Sequence, residues 1–198
     1  MEIDIKQLMH DSINAKSLPP DAIPDLDLYM DQIIALMNTH LGTEGEKEPL
    51  TRTMIHNYSK AGLITPLKGK KYSKEQILQM LAIYSLKNTL SIAQIKRVLY
   101  GTMQSGIDAD GLAQCFETHL ARRDHINQQL VQTVDSIIQK NDIPLDTTAD
   151  ILSLLLTLTD VTDSLRNLAA ALTQLCFPEP PDKKTEKAER KQKNKAQT

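Results

Sequence analysis

The sequence predicts a mainly α-helical protein, with a small β wing in its N-terminal half and long helices after it. Three observations predict this class. Leucine outnumbers valine 27 to 4, and no segment alternates apolar and polar residues over the length of a strand. Ser73 with Gln76 and Ser91 with Gln94 form two Ser-x-x-Gln capping boxes, each marking a helix start. Beyond residue 108, apolar residues step by three or four over two long stretches. The chain has 198 residues, enough for one compact domain with a helical extension and too few for two large ones.

Residues 1–22 carry some apolar side chains but no clean helical pattern, and with the Pro19-Pro20 pair they read as a flexible arm. A first helix is expected from Asp25 to Leu41, with Leu28, Ile33, Leu36, Met37 and Leu41 inward and Asp25 and Asp27 at its positively polarised start. A polar loop from Gly42 to Pro49 follows. Thr51 caps a short second helix that turns Ile55 and Tyr58 inward and stops at Gly62. Between Leu63 and Tyr72, Pro66 and Gly69 break helix and fit a tight hairpin-like turn. The capping boxes then start a third helix carrying Ile77, Leu78, Leu81, Tyr84 and Leu86, and a fourth carrying Ile92, Ile95, Val98 and Leu99.

A long helix is expected from Asp108 to Lys140. Its seam of Leu112, Phe116, Leu120, Ile126, Leu130, Val134 and Ile137 is coiled-coil-like, with Arg123 as its polar break. Pro144 separates it from a last helix, Ala149 to Phe177, which is leucine-rich on more than one side and is expected to bury itself against the long helix and a second subunit. Residues 178–198 open with three prolines, continue in Lys, Glu and Gln, and read as a disordered charged tail.

The net charge of −2 hides a segregation along the chain. Residues 1–50 hold 10 acidic and 3 basic groups, whereas residues 51–100 hold 9 basic groups and only Glu75 as an acid. Residues 101–177 hold 10 acidic and 4 basic groups, and the tail 4 and 7. A basic island between acidic segments is the electrostatic footprint of a polyanion-binding module.

Within the island, Tyr58, Gly62, Leu63 and Pro66 form a Tyr-x-x-x-Gly-Leu-x-x-Pro pattern, followed by a basic turn from Lys68 to Tyr72. The helix pair behind it ends in Ile95, Lys96 and Leu99. This order of parts resembles the winged helix-turn-helix domain of MerR-like regulators. The likeness covers roughly Ile23 to Tyr100, although the chain has His56-Asn57 where that family usually carries Arg-Tyr. The pattern also resembles the uncharacterised bacterial domain of unknown function 1836, which opens with a similar Ile-Pro-Asp-Leu-Asp-Leu-Tyr-Met, here from Ile23. The MerR resemblance implies a DNA-binding domain over residues 23–104 and a dimerisation and effector region over 105–177.

With Ile55 and Tyr58 inward, Arg52, Thr53, His56, Asn57 and Lys60 fall on the outward side of the second helix, a donor-rich set suited to base edges and phosphates. Lys68, Lys70, Lys71 and Tyr72 would flank it as the wing. The expected partners are double-stranded DNA and a second copy joined through the C-terminal helices, with an effector of unspecified kind. The alternative is a non-enzymatic protein-interaction module that keeps the fold without binding DNA.

Other chemistry finds no support. The five histidines are scattered, and His119 and His125, six apart on one helix, do not share a face as metal ligands. Asp25, Asp27 and Asp31 read as helix caps and dipole partners. There is no Gly-rich phosphate loop, nucleophile elbow or Cys-x-x-Cys, so no enzyme, cofactor or metal is expected. Cys115 and Cys176 read as small buried side chains. Apolar runs stop well short of the ~20 residues that span a bilayer, and no secretory signal opens the chain, so a cytoplasmic location is expected.

Overall fold

The computed structural model of the chain describes residues 4, 7–9, 11, 17–41, 48–67, 69–140, 143 and 145–181. The expected turn residue Pro144, the wing residue Lys68 and residues 182–198 of the expected tail lie outside them. The molecule is mainly helical. A short 3-10 turn (Pro20–Ala22) leads into strand β1 (Leu28–Tyr29) and helix α1 (Met30–Leu41), followed by α2 (Arg52–Ala61), β2 (Lys71–Tyr72), α3 (Lys74–Leu86), α4 (Ile92–Gln104), α5 (Ala109–Lys140) and α6 (Thr148–Cys176). Among the described residues no helix is long and apolar enough to cross a membrane.

The cap residues act where the sequence places them. Thr51 Oγ1 accepts from the Met54 amide, and both Ser-x-x-Gln boxes close reciprocally, with Ser73 Oγ and Ser91 Oγ taking the amide three residues on. A third box, Thr147 with Asp150, starts α6. Each supplies partners for amides that a helix start leaves unsatisfied, a contribution of about 1 kcal/mol. The central element is α3, buried continuously from Gln76 to Tyr84 because every face meets a neighbour. Around it pack Ile33 and Met37 of α1, Ile55 of α2 and Ile95 of α4, all fully buried.

Two buried glutamines pin the segment between α2 and β2. Gln79 Oε1 accepts from the Thr65 amide at 2.9 Å, and Gln76 Nε2 donates to the Thr65 carbonyl at 2.9 Å. Asn38 does the same for the approach to α2, exchanging hydrogen bonds with both backbone groups of Leu50.

Several expectations need correction. Helix α1 begins at Met30 rather than Asp25, because Leu28 and Tyr29 are taken as a strand by Lys71 and Tyr72. The Leu63–Tyr72 segment is therefore not a self-paired hairpin; its strand crosses antiparallel to β1 with Leu28 opposite Tyr72 and Tyr29 opposite Lys71. The expected arm ends inside the core, since Leu18 and Ile23 are 1% and 2% exposed. Cys115 on α5 and Cys176 on α6 are both exposed rather than buried.

Helix α6 departs most from expectation. Only Leu154 and Thr173 on it are buried, so the long helix does not cover it within one chain. Ile151, Leu154, Leu158, Val161, Leu165, Leu168, Leu172 and Leu175 recur at alternating steps of three and four, a heptad seam. From Val161 onward that seam is exposed, with Leu165 at 59% and Leu175 at 84%. Its far end is anchored to α4, where Phe177 closes against Gly101 and Arg97 holds the last carbonyls.

Candidate nucleic-acid interface

Helix α2 is amphipathic by a simple division. Ile55 and Tyr58, three apart, enter the core, while Arg52, Thr53, His56, Asn57 and Lys60 are all exposed. The helix ends where the sequence demands it. Gly62 sits in the left-handed region at φ 73, and the following Leu63 amide returns to the Tyr58 carbonyl at 3.0 Å, drawing Leu63 into the core. At 1.5 Å rise per residue, the outward row spans about 12 Å from Arg52 to Lys60.

The basic wing reaches the same structure from the other side. Gly69, at φ 136, turns the chain, Lys70 and Lys71 are exposed, and Lys71 Nζ lies 5.0 Å from the centroid of the Tyr29 ring. Two residues beyond Tyr29, Asp31 meets Arg52, with Nη2 2.5 Å from Oδ1. Arg52 and Lys71 therefore border one corner, the β1–α1 junction. Lys68 lies outside the described residues.

Tyr72 is not part of this surface. It is 3% exposed, opposite Leu28 in the two-stranded sheet, and burial pushes its phenol pKa up. The register explains the error: with period two, Lys71 outward places Tyr72 inward. The contact role expected for Tyr72 is withdrawn.

The acids around the corner have partners of their own. Asp25 does not cap α1; it receives Lys74 Nζ at 2.6 Å, which holds its carboxyl below the usual range and raises the Lys74 ammonium. Asp31, exposed in the first turn of α1, sets a negative charge beside Arg52, so the charge of that end of the interface is partly neutralised.

At the other end of α2, a cation outside the expected set comes close. The end of the Lys96 side chain, Cε and Nζ alike, lies 3.9 Å from where a β-carbon on Gly62 would stand. Lys96 on α4 thus extends the basic row past Lys60, near the negative end of the α2 dipole. Its place in the Ile95-Lys96-Leu99 pattern was the available signal.

Arranged this way, the exposed groups present one helix with amide, imidazole, hydroxyl and cationic donors, bordered by lysines on a turn. The helix supplies groups able to read base edges, and the lysines supply charge for phosphates. A family model described as a domain of unknown function (DUF1836) matches residues 18–119 of the chain. No curated protein and no solved structure matches it.

Proposed function

Since the chain belongs to the DUF1836 family, whose description assigns no activity, we propose its function from its own surface: a non-catalytic, MerR-like transcriptional regulator that binds double-stranded DNA. The observation that carries the reading is the outward row of α2, Arg52, Thr53, His56, Asn57 and Lys60, exposed without an acid on the same helix and flanked by Lys70 and Lys71. In this reading α2 enters the major groove, Asn57 and His56 meet base edges, and the lysines neutralise phosphates.

The partner in this reading is a second copy. Val161, Leu165, Leu168, Leu172 and Leu175 lie exposed on α6 in heptad spacing, and the positions flanking them, Thr157, Thr162, Ser164, Ala169 and Ala171, carry no charge to repel an identical helix. A dimer presents two α2 helices to two half-sites.

A second reading is favoured by two observations. The exposed leucines of α6 and the Asp31–Arg52 pair also suit a module that binds a partner protein and no DNA. Salt separates the two. Fluorescence anisotropy with genomic DNA fragments is expected to show affinity falling steeply between about 50 and 200 mM salt, as counterions leave the neutralised phosphates. Failure to bind any fragment at low salt overturns the DNA reading.

A further inference from the structure

Toward its C-terminal end, helix α6 divides into an inner and an outer side. Val161, Leu165, Leu168, Leu172 and Leu175 are exposed, whereas Ala169 packs against the core and Thr173 is 2% exposed. Four residues beyond Thr173, Phe177 lies against Gly101 of α4, so close that a β-carbon on the glycine would stand 2.7 Å from Phe177 Cδ1. The inner side of α6 is therefore seated on α4 and the outer side is left open.

The seat has a polar half. Arg97, one turn before Gly101 on the same face of α4, donates from Nε to the Phe177 carbonyl at 2.6 Å and from Nη2 to the Gln174 carbonyl at 2.9 Å. The sequence calls for the second bond. In a continuing helix the Gln174 carbonyl would accept from the amide of residue 178, but Pro178 has no N–H to give. The guanidinium takes that place and sets positive charge at the negative end of the α6 dipole. The other face of α4 is committed to the core, where Ile95 is fully buried and shares one cluster with Ile77 of α3 and Ile55 of α2. Arg97 and Gly101 thus join α6 to the packed unit that carries α2.

We propose that Arg97 is a positioning residue for DNA recognition, which sets the separation at which two α2 helices meet their half-sites. The inference rests on the DNA-binding dimer proposed above and concerns what spaces the two copies, not what reads the bases. When two chains join along the outer side of α6, the path from that seam to α2 runs through α4, and the contact of Arg97 and Gly101 with residues 174–178 is the joint in it. A stiff joint permits one separation of half-sites. A loose joint permits several, with each α2 reading its own half-site as before.

The test is selection from a library of random duplexes of about 40 base pairs by the full-length wild type, Arg97→Gln and Arg97→Lys, each first sized by light scattering. The wild type is expected to enrich two copies of one motif at a fixed separation, and to bind pairs shifted by about five base pairs, half a helical turn, roughly tenfold more weakly. Arg97→Gln is expected to remain a dimer, to enrich the same motif and to bind shifted and unshifted pairs within about threefold of each other. Arg97→Lys, which keeps the charge at the helix end but not the planar fork, is expected to fall between them. A merely structural role would lower affinity at every separation by one factor and keep the preference, and that result overturns the proposal. So does a dimeric wild type that enriches its motif at no fixed separation, an outcome that needs no variant to fold. A monomeric wild type, or one that enriches no motif, removes the DNA-binding dimer itself and the spacing role with it.

Discussion

Arg52 and Asp31 are joined by an ion pair at 2.5 Å, with both side chains about two-thirds exposed. The strongest cation at the start of α2 is thereby shared with an acid from α1, and any phosphate that engages Arg52 must compete with Asp31. The pair is exposed, so its own contribution to stability is small. Its influence on an anionic partner is larger, because the carboxylate repels that partner directly.

Asp31→Asn is accordingly expected to raise DNA affinity by about one order of magnitude at low salt and to leave the thermal melt within a few degrees of wild type. Anisotropy titrations of the two proteins on one fragment decide it; unchanged affinity would show that Arg52 does not face DNA.

The lysines and the helix should differ in kind. Lys70→Ala and Lys71→Ala are expected to weaken binding about equally on all sequences and to lower the salt slope by roughly one unit each. Asn57→Ala is expected to cost about 1–3 kcal/mol on the preferred site and little on random DNA. Identical behaviour of the two classes across a panel of sequences contradicts the division of labour.

The α6 seam predicts a dimer that a single charge breaks. Leu165 is 59% exposed in one chain, so Leu165→Asp leaves the monomer fold intact, but it places two buried carboxylates at a dimer seam. Light scattering is expected to show about twice 22.2 kDa for the wild type and 22.2 kDa for the variant. A wild-type monomer at micromolar concentration removes the dimer. Leu120 is a poorer probe because it lines the cleft between α3 and α5.

Gly101 is expected to resist substitution. A β-carbon there would stand 2.7 Å from Phe177 Cδ1 and 2.9 Å from Pro178 Cδ, so the end of α6 must shift. Alanine improves helix propensity by about 1 kcal/mol, but overpacking of about 1–3 kcal/mol outweighs it. Urea melts of Gly101→Ala should show a lower midpoint; a higher one would mean that Phe177 yields freely.

The Asp25–Lys74 pair predicts a change on the acid side. The lysine holds the Asp25 carboxyl below its ordinary value, so the stability it contributes is present above the unfolded pKa and is lost as pH falls through the lowered folded one. Asp25→Asn is expected to flatten the decline in stability below about pH 4 while leaving it unchanged near pH 7 in slope. Melting temperatures of both proteins from pH 2 to 7 test this.

The sequence by itself determined what depends on near neighbours in the chain. Thr51, Ser73 with Gln76, and Ser91 with Gln94 start helices through bonds that span three residues, and Gly62 ends one through its own backbone freedom. The spacing of Ile55 and Tyr58 likewise sorted the faces of α2, and with them the exposed residues of the candidate interface. Tertiary structure decided what depends on partners far along the chain. The pattern through Leu28 and Tyr29 read as the start of a helix until Lys71 and Tyr72, more than forty residues away, took them as a strand and turned Tyr72 inward. Asp31 and Lys96 entered the basic surface only because α1 and α4 pack beside the two ends of α2. The leucines of α6 show the same limit from the other side: periodicity marks a face as apolar, but what covers that face is a matter of packing, and one chain leaves it open.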